Sequence, residues 1–286
     1  MDIKPPDFAG SWYPATADAC REDIDRFLSK SITADISSSN RFGCIVPHAG
    51  WYFSGGIACR VLNALATPSP PDVVVVFGMH MSPGSTPVLL SSGAWQTPFG
   101  PLPVARNLAL EVEETFDVLR RSPATMSPDN TIELQLPFIR YLFGEVSILP
   151  VGVPPDDIAL DIGETLGRAA VRDRLSMTVV GSTDLTHYGP NYGFTVKGRG
   201  KTALKWVKET NDRRFIDALL ALDGKTAIRE ALTGQNACCA GAAAATVAAV
   251  TVMGANRAAM TEYRTSYEKS PGESFVGYSG ILFYRG

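Results

Sequence analysis

The segment Asp72-Val73-Val74-Val75-Val76-Phe77-Gly78 decides the fold. An unbroken β-branched run suits a strand covered on both faces, because a strand with one wet face alternates apolar and polar residues. Upstream of it, Thr16 to Ser29 reads as an amphipathic helix with Ala19, Ile24, Phe27 and Leu28 on one side. Ser31 to Asn40 is mostly polar and reads as a surface loop. Arg41 to Val46 reads as a short strand stopped by Pro47-His48-Ala49-Gly50, and Gly55 to Ala66 as a helix of small and apolar residues. Downstream, strands are expected at Pro87–Leu90, Val146–Val151, Met177–Gly181 and Val276–Tyr284, with a loop over Gln96–Pro101. Helices are expected at Ala105–Arg120, Thr131–Leu142, Asp156–Ala170, 200–222, 225–232 and from about residue 239. No repeat or linker divides this series. The expected fold is one α/β domain over residues 1–286, with a central mixed, mostly parallel sheet and helices on both faces.

Composition narrows the function classes. The 286 residues carry 26 Lys and Arg against 29 Asp and Glu, a net charge of −3. With 45% hydrophobic and 19% charged residues, the chain is neither disordered nor a highly charged coiled coil. The charge balance gives no general attraction to nucleic acid or anionic lipid, and the densest basic stretch (Lys197, Arg199, Lys201, Lys205) is modest. Ala237 to Ala255 approaches the length that spans a bilayer, yet its Ala, Gly and Thr residues gain little from lipid, so it reads as a tightly packed internal helix. The cysteines Cys20, Cys44, Cys59, Cys238 and Cys239 are odd in number and form no CxxC pair. Met1 to Pro6 lacks an apolar signal stretch, so the expected location is cytoplasmic with free thiols.

The chain holds three histidines, and each lies just past an expected strand: His48 after Arg41–Val46, His80 after Asp72–Phe77, His187 after Met177–Gly181. Ligands of open α/β sheets collect beyond the carboxyl ends of the strands, so the three are expected to share one pocket. Their wide separation excludes HExxH and zinc-finger motifs and suits a catalytic metal with open positions. Asp184 lies three residues before His187 and is placed to orient that ring; the alternative is a helix N-cap. For a third ligand the residues leave Asp184, Glu133, Asp129, Cys238 and Cys239 as candidates, with small-residue packing as the alternative role of the cysteine pair. Glu133 is expected to be structural or to orient a ligand rather than bind metal itself.

Five segments together carry a family resemblance. They are Ala9-Gly10-Ser11-Trp12-Tyr13-Pro14, Val46-Pro47-His48-Ala49-Gly50-Trp51-Tyr52-Phe53-Ser54-Gly55, Thr97-Pro98-Phe99-Gly100, Ile132-Glu133-Leu134-Gln135-Leu136-Pro137-Phe138 and Ser182-Thr183-Asp184-Leu185-Thr186-His187-Tyr188-Gly189. In this order they resemble the Memo family, including Memo-like proteins of the AmmeMemoRadiSam system (protein B), which is similar in fold to LigB-type class III extradiol dioxygenases. The resemblance implies a metal held by His48, His80 and Cys238, with His187 and Asp184 as the catalytic polar wall. Cys239 then stands in a glycine slot of the family's Ala-Cys-Gly-x-Gly segment, so Cys239→Gly is expected to be nearly silent.

The resemblance also implies iron(II) (Fe2+) and an oxygenase-like reaction on a small-molecule or peptide substrate, with other AmmeMemoRadiSam proteins as partners. The alternative is a non-catalytic copper(I) (Cu+) protein of redox or interaction type; a third reading is a metal-free hydrolase using Cys238 and His187. Two departures stand out: Asn130 replaces a family histidine, and Gly78-Met79-His80-Met81 replaces the family's paired-histidine loop.

Overall fold

The computed structural model describes residues 2–30, 40–67 and 69–286, so the loop expected over Ser31–Asn40 lies, Asn40 apart, outside the described residues. After β1 (Ile3–Lys4), α1 spans Ala17–Leu28, and Thr16 caps it by accepting from the Ala19 amide. Strand β2 (Arg41–Val46) ends at Pro47, and a π-helical turn over Trp51–Gly55 leads into α2 (Gly56–Leu65). The decisive run forms β3 (Val73–Gly78), every residue of it buried. Next come β4 (Val88–Leu90), β5 (Ala94–Thr97), β6 (Gly100–Pro103), α3 (Arg106–Thr115) and β7 (Leu119–Arg121). Helices α4 (Asn130–Glu133) and α5 (Leu136–Phe143) precede β8 (Ser147–Gly152), α6 (Asp157–Asp173), β9 (Met177–Ser182) and β10 (His187–Tyr188). The C-terminal part contains α7 (Lys201–Trp206), a π-helical turn over Val207–Asn211, α8 (Asp212–Leu220), α9 (Gly224–Gly234), α10 (Ala240–Met253), β11 (Arg257–Thr265) and β12 (Phe275–Tyr284).

The main sheet has a parallel centre, β2-β9-β3-β8, flanked by antiparallel pairs of β12 with β2 and of β4 with β8. Strand β12 also pairs with β10 and β11. Alternation along β3 divides the core: Val73, Val75 and Phe77 join one apolar cluster with α6, α8 and α10, while Val74 and Val76 join another with α1, α2 and α5. Helices therefore cover both faces, as the β-branched run requires.

The Ala-rich segment is α10, and its small residues let backbones meet. A Cβ on Gly163 of α6 would lie 2.2 Å from the Ala245 carbonyl oxygen, and one on Gly241 would lie 2.4 Å from the Val153 and Pro154 carbonyls. Among the described residues no helix is long and apolar enough to cross a membrane.

Four expectations need correction. Helix α3 stops at Thr115 because Phe116 turns extended, and Leu119–Arg121 then pairs in parallel with β4. The expected loop at Gln96–Pro101 is a hairpin of β5 and β6 within a second, three-stranded sheet with β1. Thr97 Oγ1 closes that turn by accepting from the Phe99 amide at 3.1 Å and donating to the Gly100 carbonyl at 2.6 Å. The helix expected over Thr131–Leu142 breaks at Leu134-Gln135, just before Pro137, whose ring nitrogen cannot donate to a preceding turn. The 200–222 helix is interrupted by its π-helical turn, and β11 was not anticipated.

Strands β2, β9 and β3 run parallel, ending at Val46, Ser182 and Gly78. The segments carrying His48, Asp184, His187 and His80 therefore leave from one edge of the sheet.

Candidate metal centre

His48 is fixed from several directions. Its amide donates to Asp184 Oδ1 at 2.8 Å, and its Nδ1 lies 3.0 Å from Ser182 Oγ at the end of β9. Gln135 Nε2 donates to the carbonyl of Pro47 at 2.9 Å, holding the bend before the ring. With Nδ1 engaged, Nε2 points at Cys238 Sγ, 3.2 Å away. His80 stands edge-on to His48, ring centroids 5.1 Å apart at 85°. It is aimed by Met79, whose φ of 69° is rare for a residue with a side chain and whose amide donates to Thr131 Oγ1 at 2.7 Å.

The cysteines sit between the Asp184 loop and the start of α10. The Cys238 amide donates to the Asp184 carbonyl at 3.2 Å, and the Asp184 amide donates back to Cys238 Sγ at 3.3 Å. The Cys239 amide donates to Thr183 Oγ1 at 3.0 Å, and its Sγ lies 3.8 Å from that of Cys238. One donor atom each from His48, His80, Cys238 and Cys239 falls within 4.8 Å of the others. The Cys239 thiol thus lies among the other three donor atoms.

His187 opens β10, and its Nε2 lies 3.9 Å from Asp184 Oδ2. Asp184 and His187 do not share a helical turn, and Asp184 caps no helix. The 183–187 loop is instead pinned by the Leu185 amide on the Gly277 carbonyl and by the Thr186 amide on Asp212 Oδ1 at 3.0 Å. His48, His80, Asp184 and His187 line one cavity of about 700 Å³, with Asn130 and Tyr192 on the same wall.

The electrostatics favour a thiolate. Burial alone would raise the Cys238 pKa, but the Cys239 thiol and the rings of His48 and His187 outweigh it and hold Cys238 well below the usual thiol range. Burial opposes the imidazolium of His48 and of His187, yet Cys238 and Asp184 together hold His48 at about 9 and His187 at about 10.

The other carboxylate candidates lie outside the cluster. Asp129 caps α4 by accepting from the Ile132 amide at 2.9 Å. Glu133 accepts from the amides of Asp7 and Phe8 at 2.9 and 2.7 Å and from the Tyr13 hydroxyl at 3.0 Å. Sequence reasoning missed Asp212, which is fully buried and accepts from the Thr186 hydroxyl and, at 2.6 Å, the Tyr263 hydroxyl. No local signal marks it, because Arg213 and Arg214 make its helix look like a solvated face.

A family model described as Memo-like protein matches residues 4–282. The chain belongs to the Memo family. A MEMO1 family protein of Methanopyrus kandleri, MK0963, is 31% identical over 98% of this chain and 99% of its own length. Another of Pyrococcus horikoshii, PH1626, is 31% identical over 98% and 99%. Among solved structures, the uncharacterized protein JW3007 from Escherichia coli K12 aligns at a TM-score of 0.51 with 13% identity, covering 85% of this chain and 99% of that one, a likeness of fold. Three of the five matching segments, those carrying Trp12, His48 and Asp184 with His187, line the cavity.

Proposed function

We propose that this Memo-family chain is a metal-dependent, oxygenase-like protein in which His48, His80 and Cys238 hold one ion beside the 700 Å³ cavity. The observation that carries this reading is the convergence of two imidazoles from the ends of β2 and β3 with a thiolate-forming cysteine from the turn into α10. The donor set fits: neutral imidazoles and a thiolate suit iron, copper or zinc, and Ser182 at Nδ1 of His48 fixes the ring that presents Nε2. Bound there, iron(II) would supply one-electron and dioxygen chemistry to a chelating small molecule or peptide group.

The chain's own residues bind, orient and move protons. Asp184 receives the His48 amide on Oδ1 and faces His187 through Oδ2, so one carboxylate links the metal side of the cavity to its proton-transfer side. Among the described residues His187 Nε2 is buried without a hydrogen-bond partner, 3.9 Å from Asp184 Oδ2, and its raised pKa makes it a proton donor to a guest in the cavity. Tyr192, its ring 5.0 Å from that of His187, narrows the approach.

The test is dioxygen uptake by anaerobically prepared protein loaded with iron(II) and offered catechols. Uptake that His187→Ala lowers at least tenfold, with iron still bound, is expected. Iron binding without uptake across the substrate panel would sink the oxygenase reading. The second sulfur in the cluster favours one other reading, a copper(I) protein without turnover, which tight copper binding with no uptake would support.

A further inference from the structure

We propose that Cys239 supplies a fourth donor to the same ion, so that this chain builds a two-histidine, two-cysteine centre. The inference rests on the metal-centre reading above and names the residue that completes it. Two thiolates on a tetrahedral ion at about 2.3 Å lie about 3.8 Å apart. The sulfurs of Cys238 and Cys239 are 3.8 Å apart. A nitrogen at about 2.0–2.1 Å and a thiolate at about 2.3 Å span an edge of about 3.6 Å. His48 Nε2 and Cys238 Sγ are 3.2 Å apart, and no two of the four donor atoms are farther apart than 4.8 Å. Small rotations of the side chains close the remaining difference.

The backbone explains how adjacent cysteines reach one point. The Cys238 amide is held by the Asp184 carbonyl, whereas Cys239 is the residue before α10, with its amide on Thr183 Oγ1. The two side chains thus leave a sharply turned backbone rather than opposite faces of a strand. Cys239 is 3% exposed, and neither cysteine lines the cavity, whereas both imidazoles do. The sulfurs approach from the protein side. A guest in the cavity then reaches the ion by adding a fifth donor or displacing the Cys239 thiolate. Two soft sulfurs shift the preference from iron(II) toward zinc and copper(I).

Cobalt(II) titrated into the reduced 286-residue chain reads the donor count directly, through the thiolate-to-cobalt charge-transfer band. We expect a tetrahedral spectrum in the wild type, a band of about half the intensity in Cys239→Ala, and at least a tenfold loss of affinity. An unchanged band and affinity in Cys239→Ala would overturn the fourth donor while leaving the three-donor reading intact. Failure of the wild type to bind cobalt more tightly than His48→Ala would overturn the metal centre itself. If Cys239→Ala does not fold, X-ray absorption of the zinc-loaded wild type decides: two sulfur neighbours support the proposal and one overturns it.

Discussion

Two fully buried carboxylates, Glu133 and Asp212, support the candidate centre from different packing layers, and they do so with different partners. Glu133 lies beside Ile132 and Leu134 in one apolar cluster; Asp212 lies near Phe215 and Ile216 in the other. Glu133 accepts two backbone amides and the Tyr13 hydroxyl, fastening residues 7–13 to α4. Asp212 accepts one amide and two hydroxyls, fastening the loop that carries Asp184 and His187. The contrast lies in reversibility. A hydroxyl can turn from donor to acceptor, but a backbone amide cannot. Burial raises the pKa of both, Asp212 to about 6, with its hydrogen bonds and the charge of His187 limiting the rise.

The largest effect should follow Asp212→Ala, which strips partners from the Thr186 amide and the Thr186 and Tyr263 hydroxyls together. A loss of about 3 kcal/mol is expected from denaturant unfolding. A loss below about 1 kcal/mol would mean that the loop is held by its contacts with β12 instead. Glu133→Gln comes next. Its new amide group must face either the Asp7 or the Phe8 N–H, so about 1–2 kcal/mol should be lost, with faster hydrogen exchange at Phe8. Metal affinity should fall far less than in His48→Ala, and equal losses would make Glu133 part of the metal's own support.

The smallest effect at neutral pH is Asp212→Asn, expected within about 1 kcal/mol of wild type, since Nδ2 can donate to a reoriented Tyr263 hydroxyl. Its signature is in acid. A carboxyl raised from 3.8 to about 6 contributes stability that is full below pH 4 and lost as pH rises through 6. The wild type should therefore gain on Asp212→Asn by up to about 3 kcal/mol as pH falls from 7 to 4. Parallel stability profiles would show that the two carboxylates differ less than their partners indicate.

The same contrast explains what the sequence made legible. Strands β2, β3 and β9 announce themselves by apolar runs, and the histidines follow their ends, so the meeting of His48, His80 and His187 at one cavity could be read in advance. Glu133 was legible because its neighbours Ile132, Leu136 and Ile139 form a periodic stripe. Asp212 was not, because Thr186 and Tyr263 lie 26 and 51 residues away in the chain. The β5–β6 hairpin hid behind Pro98, Gly100 and Pro101, and β11 behind its mixture of charged and half-buried residues. The direction of the Cys239 side chain depends on the turn into α10, and composition carries no trace of that turn.

The tight contact of α6 and α10 has a consequence for how such a chain can diverge. A single methyl at Gly163 or Gly241 would push carbonyls of neighbouring segments, and Gly241 lies two residues after Cys239. Tyr52 and Tyr192, on the cavity wall, are 66% and 46% exposed and touch no such constraint. Substitutions at Tyr52 and Tyr192 can therefore reshape the mouth of the cavity while the packing behind the cysteines stays as it is.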